Sequence, residues 1–345
     1  MTTEVPVARL RAFSYDIFQA VVLSEVDATS VTEAMIHADL RGHGSHGTTR
    51  IPIYAERLKA GVVKARPEIR ITRRTPAFLQ VDGDNGPGPV VSNAALDALL
   101  EAVKDTGIAA AAIGHSNHNG PGSYYVERAV RAGCIAVAMT NAPPSMAVFG
   151  GRAPALGTNP ITFGVPVEGE APILLDMATS VVARGKIVEA AKRGEAIPEG
   201  WALDAEGRPT CDARAAEAGV VLPMSGAKGS GLAIMVEVLS GVLSGGRFAH
   251  DLGNLYSDFE TPQDIGHFMM LIDVSGLNVA SGAGRLVEAL KATALADGFV
   301  RILMPGEVEQ TRAASADSIV LPRNVLDDLD VLARRLGLGS LSEMV

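Results

Sequence analysis

Two short apolar runs constrain this chain more than any other feature. IAAAAI (108–113) and CIAVAMT (134–140) carry no polar side chain until Thr140, and each follows a helical pattern closed by a glycine, Gly107 and Gly133. An unbroken apolar run of this length between turn signals reads as a strand covered on both faces. The residues in front of them fit helices over 90–105 and 122–132. Strands buried on both sides and alternating with helices imply layered α/β architecture, not a helical bundle.

The same periodicities extend along the chain. Ile69 and Ile71, then Ala77, Leu79 and Val81, alternate as strand residues do, before the turn cluster DGDNGPGP (82–89). Further strands are expected at 161–165, 172–176, 267–273 and 300–303, and long helices at 179–193, 228–244 and 283–296. The first part is helical. Val7, Leu10, Phe13, Ile17 and Val21 recur at three- and four-residue spacing, one buried stripe. Ser30 with Glu33 has the form of a capping box, predicting a helix from there to Arg41 and a stop at Gly42. Arg50, Tyr54 and Leu58 share a face of a third helix that ends at Gly61. The expectation is a mixed α/β chain with a helical N-terminal piece and a boundary near residue 70.

A length of 345 residues fits about two domains. Apolar residues at 47% exclude a disordered chain, and aromatics at 4% require an aliphatic core. Thirty basic against 39 acidic residues, with no basic run longer than two, argue against a nucleic-acid partner. Cys134 and Cys211 form no C-x-x-C pair and read as two reduced thiols. No apolar run approaches the ~18 residues that span a bilayer. The N-terminus carries Glu4 and Asp16 without a long apolar core, so no secretory signal is expected. A cytoplasmic protein without a membrane partner is the expectation.

GHGSHG (42–47) satisfies G-x-G-x-x-G in letters only. A dinucleotide fingerprint needs a strand before it, a helix after it and an acidic residue about 20 positions on. Here the preceding VTEAMIHADLR is helical, and Arg66 and Pro67 stand where the acid belongs. A phosphate-loop lysine fails too, because Lys228 is followed by Gly229.

Histidine is the better lead. Four of the seven fall in two glycine-flanked loops, His43 and His46 in GHGSHG, His115 and His118 in GHSNHNG. Such loops bring backbone close to a ligand and present side chains from a rigid scaffold. Three roles stay open on spacing alone: acid/base groups with a pKa near ~6.5, two H-x-x-H pairs in a metal-binding protein, or turn capping. Arg50, one turn beyond His46, offers a guanidinium fork suited to a carboxylate. An imidazole and a carboxylate clamp in one segment suggest a small organic acid as substrate.

Several blocks then resemble a known family: RGHGSHGTTRIPIYAERL (41–58), SNHNGPGSYY (116–125), FGGRAPALGTNPITFGVP (149–166), LDMATSVVARGK (175–186), IPEGWALDAEGRPTCD (197–212), AKGSGLAIMVEVLSGVL (227–243) and MPGE (304–307). They are similar to the type-2 malate/lactate dehydrogenases, which include malate, sulfolactate and ureidoglycolate dehydrogenases, diketogulonate reductase and piperideine-2-carboxylate reductase. The resemblance implies an NAD- or NADP-dependent oxidoreductase, typically a homodimer, that interconverts small 2-oxo and 2-hydroxy acids. It implies a non-Rossmann, mixed-sheet domain for NAD(P) and catalysis (71–307) and a helical, dimerising domain from the chain ends (1–70 with about 308–345). His46 and His118 match histidines assigned as proton donor in different members, with Ser45 orienting, and the donor is expected to act as imidazolium. Arg50 and Tyr54 match substrate-binding positions. Asp176, Met177, Ala178, Lys228, Pro305, Gly306 and Glu307 match cofactor-binding positions, with Thr158 and Asn159 weaker matches that could equally cap a turn. No residue matches a metal ligand. Lys186 stands where imine-reducing members tend to carry an acid, which disfavours cyclic-imine reduction, although that and ureidoglycolate oxidation remain alternatives.

Overall fold

The computed structural model describes residues 2–344. The chain opens with β1 (Thr2–Pro6), α1 (Val7–Ala20), α2 (Glu25–Leu40) and, after two 3-10 turns over 44–46 and 48–50, α3 (Ile51–Lys59). A hairpin follows, β2 (Arg70–Thr75) and β3 (Phe78–Asp82), then α4 (Gly88–Thr106), β4 (Ile108–Ser116), α5 (Gly122–Arg131), β5 (Cys134–Thr140), β6 (Ile161–Val165) and β7 (Ile173–Met177). A small unit comes next: α6 (Arg184–Arg193), β8 (Ala202–Leu203), β9 (Pro209–Thr210), α7 (Ala213–Ala218) and β10 (Val220–Val221). The chain finishes with α8 (Ala227–Glu237), β11 (Ile265–Asp273), α9 (Val279–Lys291), α10 (Glu307–Ser315), β12 (Ser318–Pro322) and α11 (Arg323–Arg335).

Seven strands form one mixed sheet in the order β2-β3-β4-β11-β5-β6-β7. Only β3 and β4 run parallel; every other neighbouring pair is antiparallel. The apolar runs account for its centre. Ala111, Ala112 and Ile113 of β4 are consecutive and all buried, so both faces are covered. One face packs against α4 and α5 through Leu96, Leu99, Val126 and Ala129. On the other, α8 continues into a π-helical turn (Val238–Val242) that presses on Gly266 of β11, where a Cβ would lie 1.9 Å from Ser240 O. Backbone meets backbone there, so no other residue fits.

The two chain ends close a second core. β1 pairs antiparallel with β12, and Leu10, Ile17, Met35, Ile51 and Leu58 pack with Leu326, Leu329 and Leu341. A third, smaller core joins α6, α7 and the three-stranded sheet β10-β8-β9. Cys134 is buried and Cys211 exposed, both as free thiols. Among the described residues no helix is long and apolar enough to cross a membrane.

Three expectations are corrected. The cap of α2 is Ser24, which accepts from Asp27 N, not Ser30. Ser24-x-x-Asp27 fits the capping pattern as well as Ser30-x-x-Glu33 does, and burial of Ala28 commits the chain to helix before Ser30 is reached. No strand forms at 300–303: Val300 is 90% exposed and has no neighbouring strand. The helix expected from 179 starts at Arg184, because Thr179 and Val181 are tied by backbone hydrogen bonds to the segment 222–224.

Candidate active site

The 42–50 loop is hung from α2 by one carboxylate. Asp39 Oδ2 accepts from Thr48 N (2.9 Å) and from Thr48 Oγ1 (2.7 Å). Gly47 lies against the same carboxylate, where a Cβ would come within 1.8 Å of Asp39 Oδ1. Burial pushes Asp39 up to about 6, and its two bonds from Thr48 act in the opposite direction. Two more bonds shape the loop: Thr49 Oγ1 donates to Gly44 O (2.6 Å) and Arg50 Nε to Ser45 O (2.6 Å). Ser45, His46 and Arg50 are thereby fixed on two successive 3-10 turns.

The second histidine loop meets this one. The rings of His46 and His118 stack at 5.4 Å between centroids, 28° apart. Ser45 Oγ is 3.0 Å from His46 Nδ1. Tyr54 of α3 brings its hydroxyl to 2.5 Å from His118 Nδ1 and 3.1 Å from His118 O. Gln263 Oε1 accepts from His118 N (3.1 Å). Arg50 lies over the Tyr256 ring at 5.2 Å. Both Tyr256 and Gln263 belong to the loop before β11, pinned by buried Arg57, which donates to the carbonyls of Leu255 (3.2 Å) and Asp258 (2.5 Å).

His43 accepts from His46 N through its carbonyl (2.8 Å), and its ring acts on His46 through charge; His115 does not join the cluster. His115 is exposed and faces Asp82 (3.0 Å). Among the described residues no group of three or more His, Cys, Asp or Glu gathers as a metal site. Both stacked imidazoles are pushed toward the neutral form. Burial and then Arg50 lower His46 to about 4, and burial, Arg50 and His46 together hold His118 well below its ordinary value. Burial first, and the guanidinium beside both rings second, therefore oppose the expected imidazolium. That guanidinium is itself incomplete: Arg50 Nη1 is buried with no hydrogen-bond partner.

The other sequence-predicted residues follow β7. Asp176 accepts from Ser123 N (2.9 Å) at the start of α5 and from Thr162 Oγ1 (3.0 Å), and its charge acts on His46. Met177 ends the strand and Ala178 follows it. Thr158 O accepts from both Thr179 N and Thr179 Oγ1, each at 2.9 Å. Asn159 is buried and bonded to Ala142 N, Ala233 O and Glu237, so its side chain stays within the protein. Lys228 is exposed in the first turn of α8, whose leading segment donates Met224 N to Thr179 O (3.0 Å). Pro305 O accepts from Leu174 N (2.9 Å), which lays the 304–307 turn along the free edge of β7. Lys186 is exposed on α6 and has no bond to either imidazole. Asp39, Arg57, Tyr256 and Gln263 were not legible as site residues. They act through hydrogen bonds to loops, and only Asp39, one helical turn before GHGSHG, carried a positional hint.

Known proteins share this arrangement of sheet and loops. The family described as malate/L-lactate dehydrogenase matches residues 5–330. The chain belongs to that family. A (2R)-3-sulfolactate dehydrogenase (NADP(+)) of Chromohalobacter salexigens is 36% identical, covering 91% of this chain and 93% of its own. A ureidoglycolate dehydrogenase (NAD(+)) of Escherichia coli O157:H7 is 33% identical, covering 89% and 88%. The solved malate dehydrogenase of Pyrococcus horikoshii superposes with a TM-score of 0.90 at 33% identity, covering 98% of this chain and 97% of its own. The mixed sheet and the histidine cluster therefore sit in the architecture of a dehydrogenase family acting on hydroxy acids.

Proposed function

We propose that this member of the family is an NAD- or NADP-dependent dehydrogenase that interconverts a small 2-hydroxy acid and its 2-oxo acid. The observation that carries this reading is the convergence of two stacked imidazoles with a guanidinium whose buried Nη1 has no partner. A carboxylate is the group that such a fork accepts in two parallel bonds. The residues along β7, a strand-end carboxylate and a turn lying on a free strand edge, fit a dinucleotide, as does the exposed lysine in the first turn of α8. When bound, the nicotinamide supplies or accepts the hydride.

This chain's own residues do the rest. Arg50 orients the substrate carboxylate and fixes C2 beside the rings. His118 exchanges the proton of the C2 oxygen through Nε2. Tyr54 supports that exchange. Its hydroxyl can donate to Nδ1, or accept from Nδ1–H while donating to His118 O, so Nδ1 stays bonded in either protonation state. His46, with Ser45 on its Nδ1, bounds the cleft towards Asp176. A substrate carboxylate on Arg50 offsets the charge that lowers both imidazoles, so protonation becomes easier once substrate binds.

We assign residues 71–307 to NAD(P) binding and catalysis and the end-built helices to a second domain that supplies His46, Arg50 and Tyr54. The active form is a cytoplasmic homodimer whose second copy covers the apolar row Met235, Val238 and Val242, each more than 40% exposed. Absorbance of the reduced nicotinamide with malate, lactate, sulfolactate and ureidoglycolate, each with NAD and NADP, tests the activity. Turnover of at least one with either cofactor is expected; no turnover of any 2-hydroxy acid overturns the reading.

A further inference from the structure

A cavity of about 640 Å³ opens between α2, α5, the β6–β7 turn and α10. Four arginines line it: Arg11, Arg41, Arg128 and Arg131. Its carboxylates are already engaged. Glu33 is held by Arg11 (2.7 Å), Glu127 by both Arg41 and Arg131, and Glu170 faces Lys291 (3.6 Å). Two guanidiniums on Glu127 leave one positive charge unbalanced. Arg41 is 6% exposed, and its Nε is buried without a partner. His37, on the same wall, is lowered to about 2 by burial first and then by Arg41, His43 and Arg131.

The cavity reaches the start of β7, at the opposite end of that strand from Asp176 and Met177. Pro172 lines it, and Gln310 Nε2, also on its wall, donates to Pro172 O (2.8 Å). From Asp176 back to Pro172 is four residues, about 13 Å at strand rise. The 304–307 turn docks midway, at Leu174. A ligand whose reactive end lies at His46 and Asp176, and which extends past that turn, reaches the arginines with its far end.

We propose that this cavity receives the ribose end of the dinucleotide, that Arg11, Arg41 and Arg131 bind a phosphomonoester there, and that the enzyme prefers NADP(H) to NAD(H). The inference rests on the dehydrogenase reading and names its cofactor. Recognition of an unphosphorylated ribose uses a carboxylate free to accept from the 2′-hydroxyl, whereas a 2′-phosphate is met by arginine. Here every carboxylate on the wall has a cationic partner, and a buried guanidinium has a donor to give. The same chemistry would hold a free phosphate, so the test separates the two.

Calorimetric titration of the full-length protein with adenosine 2′,5′-bisphosphate, 5′-AMP and inorganic phosphate reads the site without turnover. The bisphosphate is expected to bind at least tenfold more tightly than 5′-AMP and to displace NADPH. Arg131→Gln and Arg11→Gln, whose side chains are 75% and 42% exposed, should bring that ratio toward one at unchanged melting temperature and unchanged affinity for 5′-AMP. Equal binding of the two nucleotides, or a bisphosphate that leaves NADPH bound, overturns the proposal. Inorganic phosphate binding as tightly as the bisphosphate also overturns it and marks a free-phosphate site. Equal NADH and NADPH binding with hydroxy-acid oxidation intact defeats this inference alone; binding of neither defeats the dehydrogenase reading beneath it.

Discussion

Arg50 links the two halves of the chemistry at the scale of single residues. Its charge lowers both imidazoles, second only to burial for each. Oxidation of a hydroxy acid needs a neutral base, and a base with a lowered pKa stays neutral into more acidic solution. The acid limb of kcat/KM should therefore fall below pH 6.5, near 4 if His46 is the base. Arg50→Gln removes the lowering charge, so that limb should move up towards 6.5 while KM rises; a pH–rate profile of both proteins reads the shift. His118→Ala should lower kcat by ~10²–10⁴, the range for a positioned acid/base group, with cofactor affinity retained. If His46→Ala carries that loss instead, the two rings exchange roles.

Loops and helices decide whether those residues meet. Gly47→Ala drives a Cβ into Asp39, and the loop can yield only by moving Ser45, His46 and Arg50. Circular dichroism should show an intact fold, while kcat/KM falls by at least tenfold. This dependence explains what the sequence could and could not disclose. The strands 108–113 and 134–140 were legible because burial on both faces leaves an unbroken apolar run, and the helices around them because a glycine closes each. His46, His118 and Arg50 were legible as separate candidates. Their convergence was not, since it depends on Asp39 holding Thr48 and on Arg57 holding the 254–258 loop, contacts between residues far apart in the chain. Ser24 and Ser30 show the local limit: both carry an acid three residues on, and only the packing of Ala28 separates them. β1 and β12 were missed because neither run alternates clearly alone; each becomes a strand by pairing with the other.

That pairing ties the ends of the whole molecule into the core beneath α2 and α3, the helices that carry the site. Leu329 is fully buried there, in the same core as Ile51 and Leu58 of α3, and no hydrogen bond of the site runs through its side chain. Leu329→Ala should cost ~2–5 kcal/mol, read by denaturant unfolding, with kcat of the folded protein unchanged. The opposite outcome is expected where the apolar surface is exposed. Met235 (54%), Val238 (42%) and Val242 (53%) recur at three- and four-residue spacing along α8 and its π-helical turn. An exposed apolar row of this kind on a helix marks an association surface. The row belongs to the element whose first turn presents Lys228, so the second copy we propose there would also fix the end of α8 that we assign to the cofactor. Met235→Glu puts a charge in that row without touching the core. Light scattering should then report a monomer, and because the first turn of α8 loses its support, affinity for the cofactor should fall with it. A variant that stays dimeric, or a monomer that binds cofactor as tightly as the parent, would show that the two copies meet elsewhere or that Lys228 needs no partner.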